Sequence, residues 1–167
     1  MRYLFQLGHQ PQISAAEIAA VFTLKHINTA TLQHKNTKTI GHKNDFLILD
    51  TGKQLNCEEL MDTLGGTIKI AMRVNGDIST YLNKTQPTGK IVFSLLDKKA
   101  AMKIKKELRQ AGRSVRYVEP GNTATIFYNN LIKSGGDLTI IGNEVLATQA
   151  IQPFEDFSAR DYKRPSS

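Results

Sequence analysis

The side chains able to do chemistry in this sequence fall into four groups: the histidines, one cysteine, a few carboxylates near the end, and a dense run of lysines and arginines. The four histidines, His9, His26, His34 and His42, match no helical metal motif such as H-x-x-x-H. They read as surface or loop residues. Cys57 lies in the first turn of a predicted helix, where the dipole favours a thiolate. It has no catalytic partner and reads as an inert thiol. A single cysteine also excludes an internal disulfide and a cysteine-based zinc site. Glu155, Asp156 and Asp161 lack the positioned partner that acid–base catalysis needs, and read as solvated or salt-bridged. No G-x-G-x-x-G, G-x-x-x-x-G-K-S/T or G-x-S-x-G occurs. Gly65-Gly66 and Gly135-Gly136 follow predicted helices and read as caps, not phosphate cradles. No catalytic or metal-ligating residue is therefore assigned, and an enzyme acting on a small ligand ranks last among the readings. An acylphosphatase in particular needs an arginine in the loop after its first strand, and that loop is Gly8-His9-Gln10-Pro11.

The basic run is the informative group. Between Asp97 and Arg116 stand eight basic residues, Lys98, Lys99, Lys103, Lys105, Lys106, Arg109, Arg113 and Arg116, against two acidic ones, Asp97 and Glu107. Almost all of the chain's net charge of +7 resides there. Ala101, Ile104, Leu108 and Ala111 recur every three or four positions and give the helix its buried stripe. Like charges at i,i+4 cost a few tenths of a kcal/mol each. Stability alone would intersperse glutamates. The pattern points to a phosphate backbone, with affinity drawn from counterion release. The bland alternative is a solvated, lysine-rich helix face. Calmodulin-type or membrane-surface binding needs a bulkier apolar face than Ala101 and Ala111 supply.

The elements that position this run follow from patterning. Tyr3–Leu7 alternates as a strand and Gly8 closes it. Ser14 and Glu17 have capping-box spacing, with Ile13 and Ile18 as a staple, ahead of a helix bearing Val21 and Phe22. Asn28–Gln33 reads as a weak strand, His34–Asn44 as a loop or frayed hairpin, and Phe46–Leu49 as a strand. Asn56 and Glu59, with Leu55 and Leu60, repeat the capping pattern, and Thr67–Arg73 reads as a strand. The order β-α-β-β-α-β is the split-βαβ or ferredoxin-like arrangement, an antiparallel sheet with both helices on one face. Residues 75–90 read as a linker with one turn of helix around Tyr81. Ile91–Leu95 is a strand, 98–111 a helix opened by Asp97 and closed by Gly112, and Val115–Val118 a strand. A helix after Pro120 carries Ile126, Phe127 and Leu131. Strands Leu138–Ile141 and Val145–Ala150 flank a Gly142-Asn143 turn. The predicted class is α+β.

The chain has 167 residues, enough for one domain or two small ones with real cores. Its pI near 9.5 points to a polyanionic partner. No apolar run reaches the ~18 residues of a membrane span, and the N-terminal apolar stretch is too short for a signal peptide. A soluble, cytoplasmic protein without a membrane partner is expected.

Several stretches resemble the N-terminal half of THUMP-domain tRNA guanine-N2-methyltransferases of the archaeal and eukaryotic type. They are Tyr3-Leu4-Phe5-Gln6-Leu7-Gly8 with Ile13–Ile18, Leu64-Gly65-Gly66-Thr67-Ile68-Lys69-Ile70, Ile104–Leu108 with Gly112–Val118, and Gln149 through Phe154-Glu155 to Arg160-Asp161-Tyr162-Lys163-Arg164-Pro165. The resemblance spans nearly the whole chain. It implies a ferredoxin-like domain over 1–75, a THUMP-like RNA-binding α/β domain over 76–152, and a linker over 153–167 toward a methyltransferase domain that uses S-adenosylmethionine. That family holds its target amine with an Asp/Asn-Pro-Pro-Tyr/Phe motif. No two prolines are adjacent here. The expectation is a chain that by itself neither binds the methyl donor nor transfers methyl. The family's Leu-Ser-Ser-Ala helix start is replaced by Asn122-Thr123-Ala124-Thr125.

The expected function is that of the tRNA-binding module of such a methyltransferase, positioning the acceptor stem and 3′ end. Lys98, Lys99, Lys105, Lys106, Arg109, Arg113 and Arg116 would contact phosphates, and Lys133 would extend the track. Arg160, Tyr162 and Arg164 would touch RNA or dock the linker on the catalytic domain. The alternative is a protein-interaction or regulatory subunit whose basic helix docks an acidic partner.

Overall fold

The computed structural model describes residues 1–39 and 42–152, with backbone alone for 29–39 and 42–44. The first half comprises β1 (Arg2–Leu7), α1 (Pro11–Leu24), β2 (Thr29–Thr39), β3 (His42–Thr51), α2 (Cys57–Thr63) and β4 (Thr67–Arg73). The second comprises α3 (Ile78–Thr85), β5 (Ile91–Leu95), α4 (Lys98–Gln110), β6 (Val115–Tyr117), α5 (Thr123–Tyr128), β7 (Asp137–Ile141) and β8 (Glu144–Ile151). The strands form one mixed sheet in the order β2-β3-β1-β4-β8-β7-β5-β6. The first four strands pair antiparallel, and β5 runs parallel to both β6 and β7. The mixed α/β class agrees with the expected α+β architecture. The boundary expected at 75/76 falls in the turn after β4, but the sheet crosses it: β4 pairs with β8 from Lys69↔Ile151 to Arg73↔Leu146.

Three apolar clusters follow from the alternation. Tyr3, Phe5, Leu47, Leu49 and Ile70 face α1 and α2, meeting Ile18, Phe22, Leu60 and Met61. Their strand neighbours Leu4, Phe46, Ile48 and Ala71 point to the other face. In the second half Ile91, Phe93 and Leu95 meet Leu82 of α3 and Ala101, Ile104 and Leu108 of α4.

Three expectations change, and one of two alternatives is settled. The helix α1 begins at Pro11, whose fixed φ suits the first helical position, so Ser14 and Glu17 lie inside it and form no capping box. They hold the turn before β4 instead. Ser14 Oγ donates to the Gly66 carbonyl at 2.9 Å, and Glu17 Oε1 accepts from the Gly65 and Gly66 amides at 2.8 and 3.2 Å. Gly66 is not a left-handed cap. It is a close approach, since a Cβ there would stand 2.5 Å from Ser14 Oγ. Of the two readings of 34–44, the hairpin holds for the described residues, paired from Thr29↔Thr51 out to Thr39↔His42. Residues 75–90 are no bare linker, because Asp77 caps the Thr80 amide at 2.7 Å and opens two turns of helix that bury Ile78 and Leu82.

A polar network ties the strands at the opposite end of the sheet. Arg2 forks onto Asp50 at 2.8 and 2.9 Å and reaches Glu144, where β8 begins, at 2.8 Å. Arg2 holds the Asp50 carboxyl below its usual value of 3.8.

Two predictions follow from these contacts. Gly66→Ala destabilises the fold by about 1–3 kcal/mol through overpacking, and the loss shrinks when Ser14 is also changed to Gly, as read by urea denaturation of the four variants. The stabilisation from Asp50 is complete above its usual pKa and lost as pH falls through the lowered one, so Asp50→Asn flattens the acid limb of a melting-temperature profile.

Candidate nucleic-acid interface

Asp97 starts α4 by accepting from the Ala100 amide at 3.1 Å. Ala101, Ile104 and Leu108 then fix the rotation of the helix by burial against the sheet. With 100° per residue, this turns Lys98, Lys99, Lys103, Lys106 and Arg109 to the exposed side, with Lys105 half-buried at its edge. Met102, 38 % exposed, sits among them. A shallow depression is lined by Met102, Lys105, Lys106, Arg109 and Gln110. The helix's one acid, Glu107, is turned toward α3, where it accepts from Ser79 Oγ at 3.2 Å. The outer face is thus left uniformly positive. Lys98 pairs with Glu119 at 3.2 Å, but both side chains are about two-thirds exposed or more. Such a pair is weak and salt-screened, and releases the lysine at little cost.

The structure sorts the remaining expected contacts. Arg116, on β6, is exposed and donates to Asn129 Oδ1 at 3.1 Å. Lys133 is exposed in the turns between α5 and β7. Because β5, β6 and β7 run parallel, α4 must run back between the ends of β5 and β6. Its last turns, with Lys105, Lys106 and Arg109, therefore lie at the sheet end where these strands start. Lys133, just before β7, lies at that end too.

Arg113 is held within the chain. Its guanidinium is half-buried and donates to Asn83 Oδ1 at 2.8 Å, the Gln86 carbonyl at 2.7 Å and the Gly89 carbonyl at 3.1 Å. Gln86 in turn brackets the Val92 amide and carbonyl, both at 2.8 Å. Arg113 is a strut between the end of α4 and the α3–β5 loop. Arg160, Tyr162 and Arg164, and the acids Glu155, Asp156 and Asp161, lie outside the described residues.

The sequence reading missed an aromatic pair. It read a helix carrying Ile126, Phe127 and Leu131, and of these only Ile126 and Leu131 are buried. Phe127 and Tyr128 are 58 % and 67 % exposed and meet edge-to-face at 5.4 Å. They adjoin Asn129, the residue that holds Arg116. The available signal was helix length: six residues bury one face, and Phe127 lies 100° from Ile126.

The other candidates stay silent. Cys57 is buried, and desolvation, helped by Glu58, pushes its thiol up to about 11, against the helix dipole. A cleft over the first half is lined by Lys25, His26, Lys53, Asn56 and Glu59, where Lys25 is paired with Glu59 at 2.7 Å. Among the described residues no cluster of His, Cys, Asp and Glu could hold a metal ion, and no helix is long and apolar enough to cross a membrane.

The two kinds of arginine and lysine separate by stability. Arg113→Ala leaves Asn83 and two carbonyls without their donors and costs about 1–3 kcal/mol. Lys106→Ala stays within about 0.5 kcal/mol of the parent. Chemical denaturation of both variants checks this.

No protein-family model, no curated protein and no solved structure matches this chain.

Proposed function

We propose that this chain is a tRNA-binding module, working with a methyltransferase domain or subunit that uses S-adenosylmethionine to modify a guanine N2. The observation that carries the RNA reading is the outer face of α4, which bears Lys98, Lys99, Lys105, Lys106 and Arg109 while Glu107 is turned to α3. Phosphate contacts of this kind set register and carry little sequence information. The exposed Phe127–Tyr128 pair beside Arg116 suits unstacked bases, the feature by which single-stranded RNA ends are recognised. The ferredoxin-like reading of 1–75 draws support from the antiparallel order β2-β3-β1-β4, with α1 and α2 on one face. The THUMP-like reading of 76–152 draws on the resemblance and on the parallel β6-β5-β7 core. In this proposal the module grips the acceptor stem and 3′ end, and the methyl donor is bound elsewhere.

The test is a fluorescence-anisotropy titration with bulk tRNA at two salt concentrations, beside duplex DNA. Binding prefers tRNA and weakens with salt by roughly 0.7–0.9 log units per phosphate contact per log unit of salt. Changing Lys105, Lys106 and Arg109 together to Glu abolishes it, with the melting temperature held, since these side chains are exposed or at the edge of burial. Normal binding by that variant removes the site. A wild-type chain that binds no tRNA, but captures an acidic protein through α4, moves the function to a protein-interaction subunit.

A further inference from the structure

We propose that RNA phosphates are met at one end of the sheet, by Lys84 and Lys90 of the α3–β5 connection together with Lys106 and Arg109, and not along the whole length of α4. This rests on the RNA-binding reading and narrows its site. Because β5, β6 and β7 run parallel, the segments that lead into them share one end of the sheet. The helix α3 closes there with Lys84 in its last turn, and Lys90 stands just before β5. The helix α4 arrives there with Lys106 and Arg109, and Lys133 precedes β7. All five side chains are exposed.

The connection that carries Lys84 and Lys90 is braced from within. Arg113 donates to Asn83 Oδ1 and to the Gly89 carbonyl, the immediate neighbours of the two lysines, and to the Gln86 carbonyl between them. Gln86 is buried and bonds both the amide and the carbonyl of Val92. The backbone at Lys84 and Lys90 is thereby held beside the end of α4. Contacts presented on such a frame lose less freedom on binding.

Charge divides between the two ends of this half. Asp97 and Glu119 stand just past the ends of β5 and β6, and Glu144 just past the end of β7, all at the opposite end. Lys98 and Lys99 lie there with them, and Lys98 is paired with Glu119. The other acids of 76–152 are engaged: Asp137 is buried against Lys69, Asp77 caps Thr80, and Glu107 accepts from Ser79. The first half brings Asp62, in the last turn of α2, to the Lys84 end. Among the described residues it makes no ion pair with Lys84 or Lys90. Ten residues of helix separate Lys99 from Arg109, about 15 Å. That exceeds the Debye length of ~8 Å at physiological salt, so acids at one end do not cancel the field at the other.

A basic residue in the last turn of a helix is favoured by the dipole alone. That accounts for Lys84 and Arg109. It does not reach Lys90 or Lys133, which lie outside helices, nor the separation of charge between the two ends.

The test titrates the full chain against bulk tRNA over a range of salt. In Lys84→Gln/Lys90→Gln the slope of log affinity against log salt falls by about 1.4–1.8, the share of two phosphate contacts. Lys98→Gln/Lys99→Gln makes the same change in net charge and keeps the wild-type slope. Lys84→Arg/Lys90→Arg restores it. A wild-type slope in Lys84→Gln/Lys90→Gln overturns the proposal, and a lowered melting temperature beside it assigns Lys84 to the helix dipole. An equal fall in both Gln variants overturns the restriction to one end. Absence of tRNA binding by the wild-type chain overturns this inference together with the reading beneath it.

Discussion

The pairing of β4 with β8 is the constraint on which the rest of the structure depends. Without it the chain has two short sheets, each with an open edge, and neither half fixes the other. The seam carries a buried ion pair. Lys69 on β4 meets Asp137 on β7 at 3.1 Å, and Thr148 on β8 donates to the same carboxylate oxygen. The side chains of Lys69 and Asp137 are only 15 % and 7 % exposed. Such a pair adds little net stability when whole, but losing one partner strands a buried charge at a cost of about 3–5 kcal/mol. A register that separated Lys69 from Asp137 would carry that cost. The Arg2–Asp50–Glu144 network repeats the device at the other end of the sheet.

This seam gives the basic residues their geometry. One face of α4 is spent on the core and the Glu107 flank on α3, so its charge can gather only on the outer side. Arg113 belongs to the same logic from the inside. It anchors the loop that leads into β5 and thereby the strand against which α4 packs. A cluster that looks uniform in sequence thus divides into scaffold and surface.

Much of the fold was legible because hydrophobic period and capping residues agreed. Thr67–Arg73 matched at both ends, and Asn56 and Asp97 each cap the helix that follows. Legibility failed where one residue type has two uses. Serine and glutamate at capping-box spacing serve equally to hold a turn 50 residues away, and only Pro11 betrayed the true helix start. Asp77 with Ile78 and Leu82 was a readable helix signal hidden among Asn, Ser and Thr. The lysine-rich stretch 34–44 lacks the apolar alternation that marks a strand, so it read as a loop or a frayed hairpin alike. At the site, the charge of α4 was legible but the inward turn of Arg113 was not. Its partners Asn83, Gln86 and Gly89 lie 24 to 30 residues upstream, in a stretch read as linker.

The seam also sets an order of events during synthesis. The outer edge of β4 is made early, and its partner β8 emerges some 75 residues later, as the register Arg73↔Leu146 requires. Until then the nascent first half presents an unpaired strand, with Ile68, Ile70 and Met72, of the kind that recruits wrong partners. Lys69, whose counter-charge on Asp137 has not yet been translated, stands in the middle of that edge. A lysine is the kind of residue that blunts an open strand edge, and this one gains its counter-charge only when the matching carboxylate is made.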